Sequence, residues 1–235
     1  MFQQYYFLKE CMMYTVKTIS STMEEYLENI YRLEEEYDVA RTKLLAEMVG
    51  VSMGTVTNTI TSLEKQNLVT HEPYKGIRLT EAGRKIALNV IRRHRLSERL
   101  LVDILKIDWS KVHEHSCKLE HAITSNLMKP LEKAIGIPGT CPHGNPTPTA
   151  CGGIVKEPSQ PIVDLDKGTK SVVVRITNEK QELLEYLMTL NLVPGSHIEV
   201  MEIAPFNGPI TLKIGKYKHA ISKKIASIVR VKQGD

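Results

Sequence analysis

Between Gly136 and Gly168 the chain carries six of its 11 prolines and six of its 14 glycines. Proline fixes φ and has no N–H to donate, so such a run suits neither a helix interior nor a central strand. It divides the 235 residues into an N-terminal part with helical periodicity and a C-terminal part with β patterns. The stretch itself reads as a semi-rigid linker, with its core at 141–169. No apolar run approaches the ~20 residues of a membrane span. The N-terminal stretch is broken by Lys9, Glu10 and Lys17 and makes neither a span nor a signal peptide. Four cysteines at irregular spacing (11, 117, 141, 151) do not form a secreted disulfide framework. The expectation is a cytoplasmic protein without a membrane partner.

The first helical pattern runs from Met23 to about Tyr37, with Tyr26, Ile30, Leu33 and Tyr37 on one stripe. Ser21 and Thr22 each precede a glutamate by three residues, which is capping-box spacing. A short helix from Thr42, a turn at Gly50 and a second helix capped by Ser52 follow. In the second helix Val56, Ile60 and Leu63 share one face, and Thr55, Asn58, Thr59 and Ser62 the other. Small hydrogen-bonding side chains on an outer face suit a major groove. A hairpin comes next, Leu68–His71 with Ile77–Leu79, from which Lys75 and Arg78 can reach phosphates. Helix, glycine turn, helix and hairpin together are the arrangement of a winged helix-turn-helix. The formal charge of +4 permits nucleic-acid binding without arguing for it.

Beyond Thr80 a long helix is expected to about Leu105, with His94 and Glu98 on one face at i, i+4. On the next helix His113, Cys117 and His121 recur at i, i+4, i+8, with Glu120 beside them. Glu25 and Glu28 stand at i, i+3 on the first helix. Imidazole, thiolate and carboxylate are ligands for Fe(II), Zn(II), Co(II) or Ni(II), and the carboxylates also admit Mn(II). Taken singly, each has an ordinary structural role: a capping glutamate, an i, i+4 ion pair, a small buried cysteine. In the linker, Cys141-x-His143 and Cys151 lack paired ligand spacing, which argues against a metal there. After the linker, Ser171–Thr177, Ser196–Ile203, Ile210–Ile214 and Ser227–Val231 read as strands, and Glu182–Leu190 as a helix, which suggests a small barrel.

The runs STMEEYLENIYRLEEE, SMGTVTNTITSLEKQNLV, RRHRLSERLLVDIL and DWSKVHEHSCKLEHAIT resemble the diphtheria-toxin-repressor family of iron- and manganese-dependent regulators over about residues 21–150. The resemblance continues more loosely into an SH3-like domain over 170–235. It implies a multidomain α+β protein. An N-terminal extension (1–20) precedes a winged helix-turn-helix domain (21–90) and an all-α metal-binding and dimerisation domain (91–140). The linker (141–169) and a small SH3-like β-barrel (170–235) complete it. It also implies an ancillary metal site of His94, Glu98 and His113, completed by Glu179, Gln181 or Glu182. A primary site would use Cys117, Glu120 and His121 with Glu25 and Glu28. Base contacts fall on Ser52, Gly54 and Asn58, within an expected DNA-binding set that also holds Thr55, Thr59, Lys75 and Arg78. Leu96, Leu100, Leu101, Ile104 and Leu105 are the expected two-fold interface.

The function that follows is a dimeric repressor, not an enzyme, that binds palindromic operator DNA when loaded with Fe(II) or a related divalent ion. It would control metal homeostasis and take no organic substrate. A manganese-responsive regulator of the same family, a metal-independent winged-helix regulator of an organic ligand, and a metallo-hydrolase are the competing readings. No glycine-rich phosphate loop or HExxH signature supports the last.

Overall fold

A computed structural model of the chain describes residues 19–72, 75–155 and 157–234. Most of the expected N-terminal extension, residues 1–18, lies outside that range. The described residues form two compact units. One comprises residues up to Arg93 with Pro148–Ile154, the other His94–Thr147 with the residues from Val155 onwards. Among the described residues no helix is long and apolar enough to cross a membrane.

In the first unit, α1 (Ser21–Tyr37) starts earlier than the capping-box spacing suggests. Its cap is Ser20, whose hydroxyl accepts from the Met23 amide at 3.3 Å. Tyr26, Leu27, Ile30 and Leu33 are buried, but Tyr37 is 51% exposed and is not part of the core stripe. The helix ends beside it, at Asp38 in the left-handed region (φ 65°). The next helix, α2 (Thr42–Val49), ends at Gly50 with φ 74°, its amide donating to Ala46. Ser52 then caps α3 (Met53–Lys65) by accepting from the Thr55 amide at 3.2 Å. Val56, Ile60 and Leu63 are buried, as their spacing predicts, in a core shared with Tyr26, Leu45 and Ile77. Burying each such side chain contributes roughly 1.5–3 kcal/mol. The hairpin pairs β1 (Val69–Glu72) with β2 (Gly76–Leu79) antiparallel. Thr80 accepts from the Gly83 amide at 3.1 Å where α4 (Glu81–Arg99) begins.

In the second unit the last turn of α4 widens into a π turn at Leu100–Ile104, the Leu105 amide donating to Leu100 at 3.1 Å. Helices α5 (Val112–Leu119) and α6 (Ser125–Ile135) follow. Leu96, expected at a two-fold interface, is fully buried against Ile123 and Leu131 of its own chain, and Leu101 is buried too. A side chain already covered in one chain has no surface for a second. Ile104 and Leu105, 49% and 56% exposed, keep theirs.

The rest of this unit is a six-stranded antiparallel sheet of order β3-β8-β4-β5-β6-β7. In chain order these are β3 (Gln160–Pro161), β4 (Lys170–Ile176), β5 (His197–Ile203), β6 (Ile210–Ile214), β7 (Tyr217–Ile221) and β8 (Val229–Gln233). Short helices α7 (Gln181–Thr189) and α8 (Lys223–Ile228) accompany it. Val173, Ile176, Leu184, Leu187, Val200, Leu212, Val229 and Val231 form the core. Strand β7 gave little sequence signal, because in YKHAI only Ile221 is buried. The architecture is the expected one: a winged helix-turn-helix, a helical segment and a small SH3-like antiparallel sheet.

Residues 139–147, the start of the expected linker, fold as a tight loop rather than an open tether. The Cys141 amide donates to Asn145 at 2.8 Å, Gly144 to Cys141 at 2.9 Å and Thr147 to Gly139 at 2.9 Å. Gly144 has φ 84°, and a Cβ there would stand 1.9 Å from the Val174 carbonyl, so only glycine lets the loop meet β4.

Candidate metal centre and DNA-reading face

The second unit buries an unusual number of ionisable groups at one place. His94, Glu98, Glu120, Arg95, His143 and Glu179 are all buried. Ligand atoms of His94, Glu98, His113 and Glu179 lie within 4.8 Å of one another, as do those of Glu98, Cys141, His143 and Glu179. Two carboxylates, Glu98 and Glu179, are common to both sets.

Each element delivers its side chains for a local reason. The i, i+4 spacing on α4 brings His94 Nε2 to 3.2 Å from Glu98 Oε1. His113, in the first turn of α5, sets Nδ1 3.1 Å from His94 Nε2 and 3.1 Å from Glu179 Oε2. Glu179 sits in the loop between β4 and α7, tied by Asn145 Nδ2, which donates to it at 2.7 Å and to the Ile176 carbonyl at 2.9 Å. The 139–147 loop adds His143, whose Nδ1 is 3.3 Å from Glu98 Oε1. Its other nitrogen, Nε2, faces the Trp109 carbonyl at 3.0 Å. That partner can only accept, so Nε2 carries the proton and Nδ1 turns a lone pair toward the carboxylates. The Trp109 indole donates to Pro142 at 2.9 Å and holds the loop from the other side.

Charge is balanced internally. Arg95 pairs with Glu179 in a short contact and with Glu98 at 3.3 Å. Burial works against the charge of Glu98, but Arg95, His113, His143 and His94 overcome it and hold its carboxyl well below the usual range. Glu179 is likewise lowered, burial and Glu98 opposing, Arg95 and His113 prevailing. Burial opposes protonation of His94, yet hydrogen bonds with Cys117, Glu120 and Glu98 raise it well above its ordinary value. The same contest, decided by Cys117, Glu179 and Glu98, pushes His113 up to about 11. Cys117, raised by burial but lowered more by His113 and His94, falls to about 7. Cys141 is pushed well up by burial and by Glu98, with Arg95 opposing.

Both imidazoles of α4 and α5 face two ways. His94 Nε2 points into the buried cluster, while Nδ1 is 2.6 Å from Glu120 Oε2. His113 Nδ1 points inward, and Nε2 approaches Cys117 Sγ at 3.9 Å. Glu120 Oε1 in turn lies 3.2 Å from His121 Nε2. The i, i+4, i+8 line expected for His113, Cys117 and His121 is broken, because α5 stops at Leu119 and His121 lies beyond its end. Among the described residues, Cys117, Glu120 and His121 do not gather as one ligand group.

Of the three candidates to complete the ancillary set, Glu179 is the one in the cluster. Gln181 and Glu182 open α7 instead. Gln181 donates to Glu185 one turn on, at 2.8 Å, and Glu182 is exposed. Sequence spacing argued against Cys141 and His143 as ligands, and the structure corrects it. Their co-ligands come from α4 and the β4–α7 loop, far away in sequence. Cys151 falls in the other unit. On α1, Glu25 is exposed and Glu28 is buried, paired with Arg32 at 2.6 Å.

The donor set fits a divalent transition ion. Ligands bound at about 2.1 Å stand some 3–4 Å apart around one ion, the spacing these groups already have. His94, Glu98, His113 and Glu179 would hold it with two nitrogens and two carboxylates. Cys141 and His143 offer a softer alternative on the same carboxylates.

In the first unit, Ser52, Gly54, Thr55 and Asn58 are exposed along α3, with Thr59 half-buried. On the hairpin, Lys75 pairs with Glu72 at 2.6 Å and Arg78 with Asp38 at 2.8 Å. All four side chains are largely in solvent, where such pairs contribute little and exchange readily for phosphate.

A winged helix-turn-helix followed by a buried His/Glu/Cys centre and a small antiparallel sheet defines a class, the metal-responsive DNA-binding regulators. Comparison with known proteins makes the assignment specific. Residues 18–77 match the iron dependent repressor N-terminal DNA binding domain. Residues 80–149 match the iron dependent repressor metal binding and dimerisation domain, and 160–233 the FeoA domain. The chain is 33% identical to the iron-dependent repressor IdeR of Mycobacterium bovis, across 90% of this chain and 97% of that one. It is 31% identical to the diphtheria toxin repressor of Corynebacterium efficiens, across 88% and 96%. A solved manganese-dependent transcriptional repressor in complex with manganese superposes with a TM-score of 0.82 at 31% identity, covering 90% and 99%. The chain belongs to the iron-dependent repressor family of metal-dependent transcriptional regulators. It is a DNA-binding regulator, not an enzyme.

Proposed function

We propose that the chain is an Fe(II)-activated repressor that acts in the cytoplasm as a homodimer on palindromic operator DNA, controlling metal homeostasis. The observation that carries this reading is the buried meeting of His94, Glu98, His113 and Glu179 within 4.8 Å of one another. A bound divalent ion supplies two positive charges and a fixed coordination geometry to that cluster. His94, Glu98, His113 and Glu179 serve as its ligands, and Arg95 and Asn145 orient Glu179. Cys117, Glu120 and His121 supply donors for a second centre. His94 and His113 join the two, each ring presenting one nitrogen to either side. Because His94 and His113 are held protonated, metal binding displaces protons and strengthens as pH rises.

The dimer is assigned to the exposed Ile104 and Leu105 and the nearby shallow apolar groove of about 390 Å³, lined by Leu101, Ile107, Leu119 and Ala122 with His115 and Lys118. Operator contacts are assigned to Ser52, Gly54, Thr55, Asn58 and Thr59, with Lys75 and Arg78 on phosphates.

Iron is favoured by the two thiols, Cys117 and Cys141, at the edge of the cluster, since softer donors select Fe(II) over Mn(II). Manganese is the second reading, favoured by the all-nitrogen-and-oxygen set of the four inner ligands. Operator binding measured anaerobically against free Fe(II), Mn(II), Co(II), Ni(II) and Zn(II) separates them. Half-saturation within the physiological range of Fe(II), with Mn(II) effective only above its own range, is expected. The reverse would make the chain a manganese regulator.

A further inference from the structure

The recognition helix α3 carries almost no free hydrogen-bond donors on its outer face. Thr57 donates its hydroxyl to the Met53 carbonyl at 2.9 Å, Thr59 to Thr55 at 3.1 Å and Thr61 to Thr57 at 2.9 Å. A threonine whose hydroxyl is turned back to the i−4 carbonyl leaves its methyl group on the outer side. Ser52 Oγ is taken up by the Thr55 amide and shares a hydrogen with Thr55 Oγ1 at 3.0 Å. No arginine or lysine occurs on α3 before Lys65, at its last residue. The side chain left with both a donor and an acceptor to offer is Asn58, which suits adenine.

Apolar surface takes the place of the missing donors. Met53, at the first position of α3, is 58% exposed, and Met48 and Val51 on the approach to it are 45% and 37% exposed. Beside Met53 stands Gly54, which costs a helix about 1 kcal/mol relative to alanine. Its backbone does not demand glycine, because a Cβ there would meet nothing closer than Ser52 Oγ at 3.7 Å. The fold has no use for that gap, whereas a duplex edge approaching the start of the helix does.

We propose that Met53 is a specificity-determining residue that packs against thymine C5-methyl groups in the major groove, so that the half-site read by α3 is A·T rather than G·C. Apolar contact is the one way a side chain recognises the thymine methyl, and bidentate guanine readout needs the arginine or lysine that α3 lacks. The inference rests on the DNA-binding reading above and adds the base chemistry it selects.

The test begins with full-length, metal-saturated protein selecting duplexes from a randomised pool. The selected site is then resynthesised with deoxyuridine, which lacks the methyl group, at single thymine positions. At one or more positions deoxyuridine should weaken binding about fourfold, the worth of one buried methyl group. Met53→Ala should show a similar loss on the thymine duplex and no further loss on the deoxyuridine duplex, while Met53→Leu retains most of the affinity. Met53 is exposed, so these variants keep the fold. G·C pairs selected under α3, or losses from Met53→Ala and deoxyuridine that simply add at every position, would overturn the proposal. If metal-loaded protein selects no duplex at all, the DNA-binding reading fails and the proposal with it.

Discussion

Arg95→Ala should be the most destabilising single substitution in the metal-free protein, lowering stability by about 3–5 kcal/mol. For a unit of this size that is a fall in Tm on the order of 10 °C. The reason is the loss of the one guanidinium that pairs with both Glu98 and Glu179, whose side chains are 0% and 4% exposed. Removing it leaves two carboxylates in a dry interior facing each other. Saturation with Fe(II) or Mn(II) should recover most of the loss, because the ion supplies the positive charge that Arg95 did. Arg95→Lys, which keeps the charge but not the two-pronged geometry, should fall between. Calorimetry with and without metal checks all three. A metal-free Arg95→Ala protein that melts with the wild type would mean that Glu98 and Glu179 are not held as an ionised pair.

The second large effect concerns His94, whose two nitrogens serve different neighbours. Asparagine places its amide nitrogen where Nδ1 stands, and glutamine places its own where Nε2 stands. His94→Asn should therefore keep the hydrogen bond to Glu120, now 2.6 Å, and lose the nitrogen that faces Glu98 and His113. His94→Gln should do the reverse. Losing a first ligand is expected to weaken the buried centre by at least tenfold to a hundredfold, the range already seen for outer-shell partners. In a two-site metal titration, His94→Asn should abolish the buried event and spare the other, and His94→Gln should mainly weaken the event that depends on Glu120. Identical titrations for the two variants would show that the ring does not link the centres.

Much of the first unit was legible because its logic is local. Ser52, Gly50 and the Val56, Ile60, Leu63 stripe announce a cap, a turn and a buried face within 14 residues of sequence, and all three are found. The ancillary half of the centre was legible for the same reason, since His94 and Glu98 lie one helical turn apart. What escaped was long-range. Cys141 and His143 become neighbours of Glu98 and Glu179 only because Gly144 lets their loop press against β4. A rule based on ligand spacing cannot see partners 30 to 40 residues away. Glu179 could not be told from Gln181 and Glu182 until the start of α7 was fixed. Leu96 looked like interface because periodicity marks a buried face without saying which chain buries it. The proline-rich stretch on which the division of the chain was first drawn turns out to hold part of the centre itself.

Operator binding by the full-length protein, measured by band shift under anaerobic conditions, tests the central claim most directly. Protein loaded with Fe(II) should bind, chelator should weaken binding on the order of 100-fold, the coupling typical of a strong allosteric link, and re-added ion should restore it. Glu179→Gln, which keeps the fold and the size of the side chain but not its charge, should shift the metal requirement to higher concentration. Equal operator affinity with ion and with chelator would contradict the account, whatever metal the purified protein holds.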